Sequence, residues 1–152
     1  MSDNKEILPC VIIPMHDSQL LLPNVSIAEV VDFATSDPEA GSPDWLVGWL
    51  EWRGLRLPVV SYDAANGNKL VVPGGNRGRV VVLNTIGQNH AETPFLALVT
   101  QGIPSQIRIG PDQVREIDGE KGSADQVMVE VDGETAVIPD LEYLEKLAHE
   151  AA

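Results

Sequence analysis

Short apolar runs that end at proline, glycine or polar turn residues are the feature that most constrains the fold of this chain. Valine recurs at every second position from Val127 to Val131, Asp132 and Gly133 follow, and an apolar run resumes at Ala136. Alternation with a period of two, interrupted by an Asp-Gly pair, is the strongest local signal of a β-hairpin. We therefore expect residues 127–138 to form a hairpin.

Similar patterns recur along most of the chain. Apolar runs predict a hairpin from residues 7–15 and 20–22, two short strands within 45–62 that join near Arg53 and Gly54, and strands at 80–83, 95–99 and 103–109. Residues 25–33 fit either a strand or a short helix, and we favour the strand. Proline, glycine and small polar residues predict loops or turns at 35–44, 66–68, 73–76 and 116–124.

Only the C-terminal tail predicts a helix. Pro139 and Asp140 can start it, and one helical face then carries Leu141, Leu144, Leu147 and Ala148. Many short strands with one helix favour a barrel or sandwich, so we predict an all-β fold, mainly β with a C-terminal helix. Residues 57–62 faintly resemble residues 138–143, which would fit two related lobes, although so short a match also arises by chance.

The charge of the chain excludes several classes of partner. Ten lysines and arginines stand against 23 aspartates and glutamates in 152 residues, a formal net charge of −13. Such a field repels phosphate backbones and anionic lipids, so we expect neither nucleic-acid binding nor direct membrane binding. A partner with basic patches would be attracted, but an acidic surface also serves solubility alone.

The residue types that carry catalysis or bind metals are scattered. A single cysteine, Cys10, favours a reducing compartment, and the first residues lack the pattern of a secretory signal, so we expect a cytoplasmic protein. His16, His90 and His149 are isolated, and the glycine-rich segment 74–78 lacks the lysine of a phosphate-binding loop. We therefore predict no cofactor, no metal and no enzymatic activity, while a site assembled from distant residues stays open.

Two segments of the first half resemble the CheW-like domain family. Residues 21–31 are similar to the family's early segment, in which a strand leads into an Ala-or-Val-Glu-Ile/Val element. Gly48 and residues 52–60 resemble its Gly, Leu-Arg-Gly, x-x-x-Pro-Val-Ile run. Weaker similarity continues through the strands at 79–83 and 95–99 to the C-terminal hairpin and helix, so the resemblance covers residues 7–147.

The resemblance implies a non-enzymatic adaptor that couples chemoreceptors to a CheA-type histidine kinase in a bacterial signalling array. It implies two small five-stranded SH3-like barrels packed together. The first would contact the kinase's regulatory domain, and the groove between them would receive the cytoplasmic tip of a methyl-accepting chemoreceptor. One such domain would span residues 7–150 after a polar tail at residues 1–6, recruited from the cytoplasm to membrane-associated receptor arrays. A β-barrel enzyme or ligand-binding protein, or a subunit of an unrelated complex, is the alternative.

Several partner-binding residues follow from the same resemblance. Glu29 and Arg53 match the family's glutamate and arginine that face each other near the receptor-binding surface, and we expect them to pair. A surface ion pair without a partner role is the alternative. Gly54 follows Arg53 at a turn where positive φ is expected, unless it is an ordinary bend. Val25 and Val99 are candidates for the apolar groove, with core packing as the more common role of such residues.

The tryptophans and two departures from the family pattern complete the prediction. Trp45, Trp49 and Trp52 form either a buried cluster or an interface patch, in which Trp49 and Trp52 would contact a partner. Glu51-Trp52 stands where the family usually has Asn-Leu, and Thr100 stands where it usually has Asp. These departures suggest a divergent accessory member, such as one in a pathway that controls pilus-driven twitching.

Overall fold

A computed structural model describes residues 7–16, 18–33, 37–69, 78–87, 91–119 and 121–151. The predicted tail at 1–6, the turn at 73–76 and His90 lie outside the described residues. The described chain contains eleven strands, two α-helices and two 3₁₀ turns, Asn24–Ser26 and Pro111–Gln113. The strands are β1 (Leu8–Pro14), β2 (Gln19–Pro23), β3 (Ile27–Asp32), β4 (Leu46–Trp52), β5 (Leu55–Val60), β6 (Arg79–Asn84), β7 (Phe95–Val99), β8 (Ser105–Ile109), β9 (Val114–Glu116), β10 (Asp125–Val131) and β11 (Glu134–Pro139). The helices are α1 (Tyr62–Ala65) and α2 (Leu141–Ala151).

The strands form two sheets that share one plan. The first sheet has the order β3-β6-β7-β5-β4, and the second has the order β8-β1-β2-β11-β10-β9. Neighbouring strands are antiparallel except for one parallel pair in each sheet, β5 with β7 and β11 with β2. The all-β prediction is confirmed. The second sheet has a sixth strand where the resemblance implied five, because the short β9 pairs with the edge of β10.

Two tight turns build the hairpins that the sequence predicts most clearly. Arg53 and Gly54 have φ of 49° and 79°, and Asp132 and Gly133 have φ of 49° and 86°. Positive φ at both central residues defines the type I′ turn, whose twist matches the twist of the flanking strands. The expected positive φ at Gly54 is therefore confirmed, and β4–β5 and β10–β11 are equivalent hairpins.

The faint internal echo corresponds to equivalent positions in the two sheets. Residues 57–62 close β5 and lead into α1, and residues 138–143 close β11 and lead into α2. Each of these strands follows a type I′ turn and supplies the parallel pairing of its sheet. The repeated pattern therefore marks two related lobes.

Three apolar clusters form the core of the described chain. One lies within the first sheet and includes Leu50, Val80 and Val82, and a second lies within the second sheet around Leu21 and Val129. The third draws on both sheets and on α2; its buried members include Leu20, Leu22, Val60, Val81, Leu83, Leu98, Leu144 and Leu147. Burying each of these leucines stabilises the fold by roughly 1.5–3 kcal/mol, so this shared cluster joins the lobes.

The central strands explain the uninterrupted apolar runs in the sequence. Val80 and Val82 of β6 face the cluster inside the first sheet, whereas Val81 and Leu83 face the shared cluster. A strand that is covered on both faces needs apolar residues at every position rather than at alternate positions. For residues 25–33 the strand is confirmed, since β3 spans Ile27–Asp32. The short helix α1 was not predicted.

Candidate partner-binding surface

The two edges of the first sheet meet through side chains. Strands β3 and β4 lie at opposite ends of the sheet order and are not hydrogen-bonded neighbours. Nevertheless, Trp52 Nε1 donates to Glu29 Oε1 over 2.9 Å, and Arg53 Nη2 donates to the same oxygen over 3.0 Å. The sheet is therefore curled, and these three residues, the seam cluster, join its edges.

Glu29 and Arg53 form the ion pair that the resemblance implies. The Arg53 side chain is 67% exposed and the Glu29 side chain 41% exposed. Because the pair is open to water, it contributes only about 0–1 kcal/mol to folding. The turn that carries Arg53 projects from the end of the β4–β5 hairpin, where Gly54 has open space around the position of a Cβ atom. The pair is thus displayed at the surface.

Trp52 lies beneath this pair and belongs to the core. Its side chain is 6% exposed, and its ring meets Phe95 edge-on with a centroid distance of 4.9 Å. The Arg53 guanidinium carbon lies 4.7 Å from the centroid of the same indole. The sequence allows Trp52 to lie either in the core or at an interface. The structure places its ring in the core, and its indole N–H donates to Glu29 of the surface pair. A direct partner contact by Trp52 is therefore disfavoured.

Trp49 lies on the other face of β4 and is only half-buried. The Arg56 guanidinium carbon is 4.0 Å from its ring centroid, and Glu51 is the cross-strand neighbour of Arg56. Trp45 is also half-buried and packs against the shared cluster. The three tryptophans therefore do not form one patch, and Trp49 stays a candidate for partner contact.

The two valines proposed for an apolar groove have opposite environments. Val25 is 83% exposed at the 3₁₀ turn before β3, so it is not a core residue. Val99 is 2% exposed because β7 is an inner strand of the first sheet. As a partner-contact residue Val99 is therefore corrected to a core residue, and Val25 stays a candidate.

Cys10 is buried, and His149 contacts two residues that precede β7. Burial raises the pKa of the Cys10 thiol, which makes the thiolate scarcer at neutral pH. His149 Nδ1 lies 2.8 Å from Thr93 Oγ1, and its Nε2 lies 3.6 Å from Glu92 Oε1. In the part of the chain that the structure describes, no three histidine, cysteine or acidic residues are grouped to hold a metal.

Two surface grooves bear on the alternative of a ligand-binding protein. One of about 570 Å³ is lined by apolar residues and glycine: Ile7, Leu8, Ile109, Gly110, Pro111 and Val114. Another of about 240 Å³ is polar, but its Arg115 and Glu130 pair with each other at 2.6 Å. A deep pocket with convergent polar groups would support an enzyme or a ligand-binding protein. The first groove is apolar, and the arginine and glutamate of the second are paired with each other.

Two polar contacts between distant segments have no local signal in the sequence. Glu145 of α2 is 1% exposed, and its Oε1 accepts hydrogen bonds from the backbone of Ile86 and Gly87 at 3.0 and 2.7 Å. The Tyr62 hydroxyl of α1 donates to Asp125 at the start of β10. In the sequence Glu145 lies on an apolar helical face, and Asp125 stands in a segment of ordinary loop composition. Neither setting therefore predicts a contact with a distant segment. Both contacts tie separate segments together.

Paired sheets and a shared core define a two-lobed β-domain, and its seam cluster presents an exposed arginine–glutamate pair. No described helix has the length and apolar character needed to cross a membrane. The chain belongs to the CheW-like domain family, whose model matches residues 9–148. Membership of this family supports a chemosensory coupling role.

A solved structure has the same fold. The crystal structure of the scaffolding protein TtCheW from Thermoanaerobacter tengcongensis is similar, with a TM-score of 0.73 over 93% of this chain and 89% of that chain. The sequences are 14% identical, so the likeness concerns the fold alone. No curated protein matches the chain significantly.

Proposed function

We propose that the protein is a non-enzymatic adaptor that couples the cytoplasmic tip of a chemoreceptor to the regulatory domain of a CheA-type histidine kinase. The observation that carries this proposal is the exposed Glu29–Arg53 pair in a chain of the CheW-like family. A pair that contributes little to folding, yet is displayed on a tight turn, supports a role in recognition.

The proposed contact surface lies around the seam cluster and the β4–β5 hairpin. Glu29 and Arg53 supply its charges, Val25 supplies an exposed apolar side chain, and Trp49 supplies a half-exposed aromatic ring. Gly54 gives the turn its shape without adding a side chain. Apolar and aromatic contacts beside a charged pair are the usual composition of a protein interface.

Binding calorimetry with the regulatory domain of a chemotaxis kinase from the same genome tests the proposal. We expect micromolar or tighter binding for the wild type. The cytoplasmic fragment of a chemoreceptor from that genome serves as the second titrant. If neither binds, the adaptor function is wrong for this chain.

Arg53→Ala separates recognition from folding. We expect its melting temperature to stay within about 2 °C of wild type, since the exposed pair contributes so little, while binding to one partner weakens at least fivefold. Lys121→Ala, at an exposed loop residue, is the matched control for loss of a positive charge. A large fall in melting temperature with unchanged binding would show that the pair is structural only.

The cellular role that we propose is that of an accessory adaptor in the cytoplasm, recruited to membrane-associated receptor arrays. The tryptophan and threonine at positions 52 and 100, where the family usually has leucine and aspartate, support an accessory pathway such as one that drives pilus-based twitching. Deletion of the gene should then reduce twitching and leave swimming unchanged. Loss of swimming alone would assign the protein to the flagellar pathway instead.

A further inference from the structure

The guanidinium group of Arg53 is hydrogen-bonded through one nitrogen, and its side chain is largely exposed to water. Its Nη2 donates to Glu29 Oε1 over 3.0 Å, and it makes no other hydrogen bond or ion pair with the described residues. A guanidinium carries five N–H donors in a planar fork, and the side chain is 67% exposed. An edge of the fork therefore faces water with its donors unused.

Trp52 restrains this fork in two ways. The indole ring lies under the guanidinium, with 4.7 Å between the ring centroid and the guanidinium carbon. The indole N–H also binds Glu29 Oε1, the oxygen that holds Arg53 Nη2. Because Trp52 is packed against Phe95 and is 6% exposed, both restraints are anchored in the core.

Other exposed arginines show what is particular to Arg53. Arg56 stacks on Trp49 at 4.0 Å, but within the described residues no carboxylate binds it. Arg115 binds Glu130 through Nε at 2.7 Å and Nη2 at 2.6 Å, with no described tryptophan against it. Of Arg53, Arg56 and Arg115, Arg53 alone combines an indole support with a carboxylate anchor. A fork fixed on two sides loses less freedom when it binds a ligand.

We propose that Arg53 is a preorganised carboxylate-binding site, that Trp52 is its positioning residue, and that the ligand is an aspartate or glutamate side chain of the chemoreceptor tip. The inference rests on the proposed adaptor function. A planar guanidinium edge matches a carboxylate with two parallel N–H···O bonds. The formal net charge of −13 opposes a doubly charged phosphate more strongly than a singly charged carboxylate.

Calorimetry with a purified chemoreceptor cytoplasmic fragment tests the site. Arg53→Lys keeps the charge but loses the fork, and we expect about tenfold weaker binding. Trp52→Phe keeps an aromatic ring but loses the N–H, and we expect about threefold to tenfold weaker binding. Arg115→Lys, at an arginine that is 72% exposed and paired with a glutamate, is the matched control and should stay within about twofold of wild type.

A double-mutant cycle separates positioning from general destabilisation. If Trp52 acts through the Arg53 fork, Trp52→Phe should weaken binding little further in the Arg53→Lys background, while its effect on melting temperature is the same in both backgrounds.

Neutralising the receptor fragment's acidic residues one at a time identifies the ligand. One of these changes should weaken binding to wild type and leave binding to Arg53→Lys unaltered.

The outcomes of these binding measurements distinguish the carboxylate-binding site from the adaptor function. Equal binding by wild type and Arg53→Lys, or additive effects in the cycle, would overturn the inference and leave the adaptor function intact. If the kinase regulatory domain, and not the receptor fragment, shows the dependence on Arg53, the ligand assignment is wrong. If wild type binds neither titrant, the adaptor function fails, and this site fails with it.

Discussion

Tyr62 sits at the contact between the two lobes, and its ionisation should set the alkaline limit of stability. Its hydroxyl donates to Asp125, which also accepts from Asn66 Nδ2 at 3.0 and 3.1 Å and from the Gly122 backbone at 2.9 Å. Burial raises the pKa of Tyr62, and the hydrogen bond to Asp125 and the charges of Asp125 and Asp63 raise it further. The folded protein therefore retains the phenolic proton at a pH where the unfolded chain releases it.

The magnitude follows from the contacts. A hydrogen bond to a charged group contributes roughly 1.5–3 kcal/mol, and we expect the lower half of this range for Tyr62→Phe near pH 7, because Asp125 keeps its other donors. The stability from the raised pKa is fully present below the unfolded value of about 10 and is lost as pH rises above it, by about 1.4 kcal/mol per pH unit. Between pH 9 and pH 11 wild type should therefore lose about 1.4 kcal/mol that Tyr62→Phe does not lose.

Urea unfolding of both proteins at pH 7, 9, 10 and 11 measures this difference. We expect the gap in unfolding free energy between wild type and Tyr62→Phe to shrink steadily above pH 9. Other groups that titrate in this range affect both proteins and cancel. Tyr143→Phe removes the other of the chain's two tyrosines and controls for phenol ionisation in general. A gap that stays constant up to pH 11 would refute the role assigned to Tyr62.

Three further substitutions test other parts of the fold by urea unfolding at neutral pH. Glu145→Ala leaves the backbone N–H groups of Ile86 and Gly87 without their acceptor and should cost about 2–5 kcal/mol, whereas Glu145→Gln, which keeps a carbonyl oxygen, should cost distinctly less; equal losses would contradict this. Thr100→Val removes a fully buried hydroxyl that bonds two backbone groups and should cost about 1–3 kcal/mol, and a neutral effect would contradict it. Gly54→Ala adds a Cβ at φ of 79° with open space around it and should cost only about 1–2 kcal/mol, from backbone strain; a larger loss would imply a steric clash that the structure does not show.

Local patterns in the sequence were sufficient for most of the strands. The Asp132-Gly133 turn and the valines before it predict the β10–β11 hairpin because both turn chemistry and side-chain alternation are local properties. The C-terminal helix was likewise predicted from its apolar face, which the structure packs into the shared cluster. The arrangement of two lobes came from the family resemblance instead.

The contacts between distant segments could not be predicted in this way. Tyr62 and Asp125 are 63 positions apart, and no local propensity distinguishes an aspartate that anchors a lobe from one that lies in a loop. In the sequence Glu145 looks like an ordinary helical glutamate, whereas in the structure it is buried. For Val99 the sequence leaves a groove and the core as alternatives, because it does not show which strands lie inside a sheet. These features depend on which strands become neighbours.

The seam cluster shows how folding and recognition are divided between adjacent residues. Arg53 is largely exposed, so evolution can change it at little cost to stability. Trp52 cannot change so freely, because one side chain fills the core beside Phe95 and also donates to Glu29. A leucine at this position would fill core space but could not donate, so Glu29 would depend on Arg53 alone. The tryptophan thus links the geometry of the surface pair to the packing of the first lobe, and a change in that packing would reach the partner-binding surface through it.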